Sequence, residues 1–276
     1  MATHLFLLVF TMATLYPVLW VIKMALTDAS GFSADPWPFP DPANMTLNNF
    51  KEVMGLGDPK TSNLLFFRQL GNSLIVSLAT AAVGLALSTI AAYALSRWDF
   101  PGKDRSMSAF LVTQMFPGVV MLIPLYILLS KLGMLNQLGG LVLVYATTSV
   151  PFSVWTLKGY FDTIPRELEE AALLDGCTRM QTFFWVILPL ARPALAVTGL
   201  FSFMTAWNEF ILAATLMTNE QSYTLPVVLQ SYVGDFDAAW GHFAAGAILV
   251  SLPVMLLFFL LQKQLVEGLT AGGVKG

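Results

Sequence analysis

Six apolar stretches constrain this chain more than anything else in it. They cover residues 5–25, 72–96, 106–130, 139–157, 193–217 and 243–261. A bilayer span takes roughly 20 apolar residues, so each is long enough to cross. None alternates with the period of two that a membrane β-barrel requires. A helix satisfies its own backbone groups in lipid, so all six are expected to be helical. Composition agrees. Only 11% of the 276 residues are charged, against about 25% in an ordinary soluble domain, and the mean hydropathy is +0.69. Such a chain cannot cover itself with polar surface. A soluble enzyme, a disordered protein and a nucleic-acid binder with a basic face are therefore excluded. The single cysteine, Cys177, allows neither an internal disulfide framework nor a cysteine metal site. His4 and His242 are far apart, so no metal site is expected.

The first stretch reads as a retained span rather than a cleaved signal peptide. No Lys or Arg precedes it, and it exceeds the 7–15 residues of a signal core. Positive charge sets the orientation. Arg97, Lys103 and Arg105 follow the second stretch. Lys158, Arg166, Arg179 and Arg192 follow the fourth, and Lys263 and Lys275 lie in the tail. That side is expected to be cytoplasmic, with both termini on it. Loops 27–70 and 218–241 then lie outside. Alternating prolines at 36–42 make the first of these extended and stiff. Thr46 can cap a short helix carrying Leu47, Phe50, Val53 and Met54 on one face. The second loop carries Tyr223, Tyr232, Asp235, Phe236 and Trp240 and no positive charge. Aromatics in a wet loop point either to a docking surface or to an interfacial belt.

Residues 158–192 are too patterned for a tether. Asp162 or Thr163 can cap a helix whose first turn holds Pro165, Glu167, Glu169 and Glu170, acids that favour the positive end of the helix dipole. Gly176 is the expected stop. A second helix, about 178–188, runs to Pro189 and Pro193. Such a helical pair could move as one lever, its alanines offering a partner close approach and its glutamates offering charge.

Within the spans, Gln114 must face protein or a cavity. Glu209 is the one carboxylate and lies near an outer edge with Asn208 and Trp207. A path role and a structural hydrogen bond both remain open for it. Thr147, Thr148 and Ser149 precede Pro151 and can serve backbone groups freed by that proline. Pro117, Pro124 and Pro253 mark further kinks. No G-x-x-x-x-G-K-[ST] phosphate loop is present, so the chain cannot hydrolyse ATP alone. The rival readings are an ion-coupled secondary transporter, which would bring inverted repeats and broken midplane helices, and a polytopic membrane enzyme, which would bring clustered catalytic residues. Neither signature is found.

Glu170-Ala171-Ala172, three residues, Gly176, nine residues, then Val186-Ile187-Leu188-Pro189 resembles the EAA motif of ABC importer permease subunits. The first position of the last tetrad, usually Ile, is Val here. Asn72-Ser73-Leu74-Ile75-Val76, the run Ala91–Arg97, Phe100-Pro101-Gly102-Lys103, Trp207-Asn208-Glu209 and the glycine-rich end from Gly268 to Gly276 resemble the carbohydrate subgroup. The overall likeness is to maltose/maltodextrin permeases; another sugar, or glycerol phosphate, is the alternative cargo.

The resemblance implies a single all-α permease domain over 1–276 in a bacterial inner membrane, with six spans and a cytoplasmic coupling loop. It is a non-enzymatic subunit with no catalytic residue and no cofactor of its own. Its implied partners are a homologous second permease, two ATPase subunits that hold ATP and Mg, an extracytoplasmic sugar-binding protein, and lipid, with no nucleic acid. Glu170, Ala171, Ala172, Gly176, Val186, Leu188 and Pro189 would meet the ATPase, and the tail would touch it as well. Tyr223, Tyr232, Asp235 and Phe236 would meet the binding protein. Gln114, Thr147, Thr148, Asn208 and Glu209 are the translocation-path candidates. The resemblance also places the main sugar contacts in the partner permease.

Overall fold

The computed structural model describes residues 2–28, 37–56, 64–234 and 238–273. Helices account for most of it, and among the described residues the only β-pairing is two isolated bridges, Thr27 with Met45 and Val233 with Ala238. Among the described residues, four helices are long and apolar enough to span a membrane. They are α1 (Ala2–Leu26), α3 (Leu64–Arg97), α6 (Leu138–Phe161) and α13 (Trp240–Gly273). Two bent pairs raise the number to six if each pair is one span.

The first bent pair is α4 (Lys103–Met115) with the 3-10 turn Gly118–Met121 and α5 (Leu122–Lys131), bent by 92°. Pro117 sits at the break in extended conformation, as a proline that cannot continue a helix should. The second joins 179–190 to α10 (Arg192–Trp207) through a 76° bend at Ala191. Residues 193–217, expected as one helix, are interrupted. The chain leaves helix at 208–210 and resumes as α11 (Ile211–Leu216).

The chain forms two compact units. One comprises Met1–Ser73 and Asn219–Val254; the other comprises Leu74–Thr218 and Met255–Gly276. In the first, α2 (Asn48–Val53) lies against the end of α1. Thr46, expected as the cap, accepts from the Asn48 amide at 3.1 Å, but the N-cap position is Leu47, which has no side-chain cap. The buried face is Asn49 and Val53, whereas Leu47 is exposed. The reason is a hydrogen bond rather than apolar periodicity. The Asn49 amide donates to the carbonyls of Ala25 and Thr27, each at 3.0 Å, which have run out of helix partners. Gln69, Asn72 and Ser73 share one face of α3 and hold the segment that follows residue 219. Gln69 donates to the Glu220 carbonyl at 3.0 Å, and Asn72 donates to those of Gln221 and Tyr223 at 2.9 and 3.1 Å. Ser73 accepts from the Leu225 amide at 2.7 Å.

In the second unit the core gathers Ala92, Leu95 and Met107 with Val154, Leu157 and Phe161 of α6 and Ile187, Ala191 and Ala194. Helix α6 is the hub, packing on α4 and α10. Its start is close-packed. A Cβ on Gly140 would lie 2.6 Å from the Met134 carbonyl oxygen, while one on Gly159 would meet nothing within 4 Å. Gly140→Ala should therefore cost about 1–3 kcal/mol through overpacking. Gly159→Ala should gain up to about 1 kcal/mol by restricting the unfolded chain. The two should shift the melting temperature in detergent in opposite directions.

Candidate functional site

The loop after α6 builds its own geometry. Helix α7 (Glu167–Leu174) starts without a side-chain cap. Asp162 and Thr163, expected as caps, are engaged elsewhere. Asp162 accepts from the Ser96 hydroxyl at 2.6 Å and from Lys158 at 2.7 Å, and Thr163 donates back to the Tyr160 carbonyl at 2.7 Å. Glu167, Glu169 and Glu170 occupy the first turn, where the helix dipole favours them. The helix ends in a Schellman motif. The Gly176 amide reaches the Leu173 carbonyl at 3.1 Å, and the Cys177 amide reaches that of Ala172 at 3.0 Å. Gly176 has φ +89°, a left-handed conformation that glycine takes without strain.

A capping box follows. The Gln181 amide donates to the Thr178 hydroxyl at 3.3 Å, and the Thr178 amide donates to the Gln181 side chain at 2.7 Å. It opens α8 (Arg179–Thr182), which continues through a π turn, Phe183–Ile187, into α9 (Leu188–Leu190). Pro189 has no N–H for the carbonyl four residues back, and the winding ahead of it widens accordingly.

Arg97, the last residue of α3, ties this loop down. Its Nε donates to Glu169, its Nη1 to the Phe161 carbonyl at 2.9 Å, and its Nη2 to the Ile164 carbonyl at 3.1 Å. The Tyr93 hydroxyl donates to the other Glu169 oxygen at 2.9 Å. The tyrosine ring packs against Trp98, Phe161 and Phe183, with centroids 4.7–5.8 Å apart. The Arg97 and Glu169 side chains are 6% and 16% exposed, so water screens the pair weakly. Removing one partner of such a pair costs roughly 3–5 kcal/mol, because the other charge stays buried.

Outward from this anchor, α7 presents a different face. Glu170 and Ala171 are exposed, Ala172 is buried, and Leu174 is 89% exposed. Val186, Leu188 and Pro189 are half-buried.

The path candidates separate into two groups. Gln114 donates to the Thr148 carbonyl at 3.2 Å, and both line a 640 Å³ cavity with Ser149, Phe152, Trp155, Phe201, Ser202 and Thr205. Thr147, Asn208 and Glu209 do not line it. Glu209 accepts from the Tyr145 hydroxyl at 2.6 Å and from the Leu212 and Ala213 amides at 2.8 and 3.1 Å. It caps α11 where the span breaks. Asn208 donates back to the Met204 carbonyl at 2.9 Å. The hydroxyls of Thr147, Thr148 and Ser149 bond to the carbonyls of Val144, Tyr145 and Ala146. The carbonyl that Pro151 frees is that of Thr147, one residue further on.

The segment after residue 218 is folded rather than a wet loop. It forms a 3-10 turn, Glu220–Ser222, and α12 (Leu225–Ser231). Tyr223 and Tyr232 are half-buried and line a 300 Å³ cavity with Glu52, Phe66 and Gln69. Burial pushes the Tyr232 phenol above its usual range. Nearby, His242 Nε2 lies 2.6 Å from Glu52. Asp235 and Phe236 fall outside the described residues, as does the end of the glycine-rich tail. Among the described residues no three His, Cys, Asp or Glu side chains are grouped so as to hold a metal ion.

Residues 84–270 match the family described as the binding-protein-dependent transport system inner membrane component. The chain belongs to this family. It is 41% identical to the maltose/maltodextrin transport system permease protein MalG of Salmonella typhimurium, over 99% of this chain and 95% of that one. It is 39% identical to MalG of Escherichia coli K12, with the same coverage. The maltodextrin transport system permease protein MdxG of Bacillus subtilis is 35% identical, over 99% of this chain and 95% of its own length. A crystal structure of a bacterial ABC transporter involved in alginate import contains a chain of the same fold, with TM-score 0.78 and 22% identity. The match covers 95% of this chain and 94% of that one. The chain is thus an ABC importer permease of the inner membrane, a translocation subunit rather than an enzyme, as its EAA spacing implied.

The residues missed by reading the sequence are Tyr93, Ser96, Arg97 and Glu169 as one cluster. The run Ala91–Arg97 stood out only as a family signature, and its partner lies 72 positions away.

Glu209→Ala should remove a helix cap and strand the Tyr145 hydroxyl. A loss of about 2 kcal/mol follows, read as a lower melting temperature, with Glu209→Gln intermediate. For Asp162, burial alone would raise the carboxyl. Hydrogen bonds from Lys158 and Ser96 and the charges of Lys158 and Arg97 outweigh it and hold the group below its ordinary value. Its stabilisation is complete above the ordinary value, about pH 3.9, and fades as pH falls through the lower folded value. A melting-temperature series in acid should fall less steeply for Asp162→Asn than for the unaltered protein.

Proposed function

We propose that this chain is one of two permease subunits of an importer that moves maltodextrin-type sugars across the inner membrane by alternating access. It crosses six times, with both termini and residues 158–192 in the cytoplasm. The observation that carries this reading is the spacing from Glu170 to Pro189 in a chain 35–41% identical, end to end, to permeases named for maltose or maltodextrin. The four long helices, the bent pair over 103–131, and α10 continued by α11, with 179–190 left in the cytoplasm, support the number six.

Two ATPase subunits hold ATP and Mg and grip α7 and α8. The exposed Glu170, Ala171 and Leu174 suit that contact. Ala171 lets a partner backbone approach, and Glu170 offers charge. The bend at Gly176 sets the angle between the helices, with Ala172, Val186, Leu188 and Pro189 supporting it from within. A sugar-binding protein docks outside, where Tyr223 and Tyr232, together with Asp235 and Phe236, offer aromatic and acidic contacts.

Gln114 and Thr148 face the path. Aromatic rings beside an amide and hydroxyls suit a glucosyl unit, whose C–H face is apolar and whose rim is hydroxylated. Thr147 bonds within α6, and Asn208 and Glu209 support the break between α10 and α11 instead.

Uptake of labelled maltodextrin by the reconstituted complex tests the reading. It should require ATP and the binding protein and ignore ion gradients. Glu170→Lys should cut both ATPase co-purification and uptake by about tenfold or more, since a reversed interfacial charge costs several kcal/mol. Uptake of trehalose or glycerol phosphate instead would reassign the cargo. Unchanged co-purification would contradict the contact assigned to α7.

A further inference from the structure

Two neighbouring glutamates of α7 do different things. Glu170 is exposed and free to meet a partner, while Glu169 is turned inward onto Arg97 and Tyr93. Neighbours on a helix point about 100° apart, so one turn can face a partner and the body of the protein together.

The chain itself holds α7 loosely. Residues 162–166 ahead of it are irregular, and Gly176 behind it is a bend. A lever joined only there would pivot when pushed. Arg97 removes that freedom. One planar guanidinium at the end of α3 grips the α7 carboxylate and the carbonyls of Phe161 and Ile164, where α6 finishes. The Phe161 carbonyl is at the negative end of the α6 dipole, which favours a cation. The fork geometry matters, since an ammonium could not reach all three acceptors at once. Tyr93 sits one turn before Arg97 on α3 and holds the second carboxylate oxygen, its ring wedged among three others. Ser96 extends the same lock to Asp162.

We propose that Arg97, seated by Tyr93, is a positioning residue that fixes α7 rigidly to the ends of α3 and α6, so that displacing α7 moves those helices instead of flexing the loop. The proposal rests on the importer reading above, in which α7 receives the ATPase stroke. Glu169 is then the inner attachment of the lever and Glu170 its outer grip.

The test is the ratio of sugar transported to ATP hydrolysed by the full complex in liposomes with its binding protein. Glu169→Gln keeps the shape and one acceptor but removes the charge. Assembly and ATP turnover should persist, while sugar moved per ATP falls roughly tenfold, the scale of one charged hydrogen bond. Arg97→Lys should behave alike. Tyr93→Phe, which removes a single hydrogen bond, should lower the ratio less. Amide hydrogen exchange across α7 should be faster in Glu169→Gln than in the unaltered complex. An unchanged ratio in any variant that assembles overturns the proposal. So does failure of all three to assemble, which would assign the cluster to folding alone. Failure of the importer reading would look different, as absence of ATP-dependent uptake in the unaltered complex.

Discussion

A charge at the end of a membrane helix must find partners before it is buried, and Arg97 meets that demand by binding three pieces of chain at once. Its guanidinium satisfies the carbonyl of Phe161 at the end of α6, that of Ile164 just beyond it, and the carboxylate of α7. With the charge neutralised, Tyr93 can bring its ring among Trp98, Phe161 and Phe183, and the core of Leu157, Phe161 and Ile187 closes beside it. The direction of α7, and hence which of its glutamates faces outward, follows from this one contact.

The same economy governs the other breaks in the chain. At several helix ends and breaks, a polar side chain from elsewhere takes up backbone groups that lack a helix partner. Asn49 does so for the end of α1, and Asn72 and Ser73 do so for residues 221–225. Asn136, with φ of 58°, accepts from the Thr218 amide. Glu209 does it for α11. A polar residue inside a span is often read as part of a transport route. In this protein many of them hold backbone. The residues lining the 640 Å³ cavity differ, because there amide, hydroxyl and aromatic groups converge on open space.

These two uses of polarity fit a subunit that must move without coming apart. Attachments are buried and charged or fully hydrogen-bonded, whereas the outer face of α7 is exposed, small at Ala171 and apolar at Leu174. The bends at Pro117 and Ala191 fall next to prolines, where helix hydrogen bonds are already missing.

Much of this was legible in the order of residues. Hydropathy and length marked the apolar stretches, four of which fall in long single helices among the described residues, because lipid imposes a local rule that every segment meets alone. Local chemistry also marked the end of α7, since only glycine takes φ +89° at Gly176 without strain. The EAA spacing named the family. Only the tertiary structure decided where long-range polar partners go. Asp162 left the helix it was expected to cap because Ser96 and Lys158 offered stronger bonds. Asn49 joined Val53 on the buried face of α2, where no apolar stripe would place an amide. Residues 193–217 broke at Asn208 because Glu209 found Tyr145 and the amides of α11. Periodicity reports what a residue does within one helix. The partner of Arg97, at position 169, is set by how helices pack, and no local pattern encodes it.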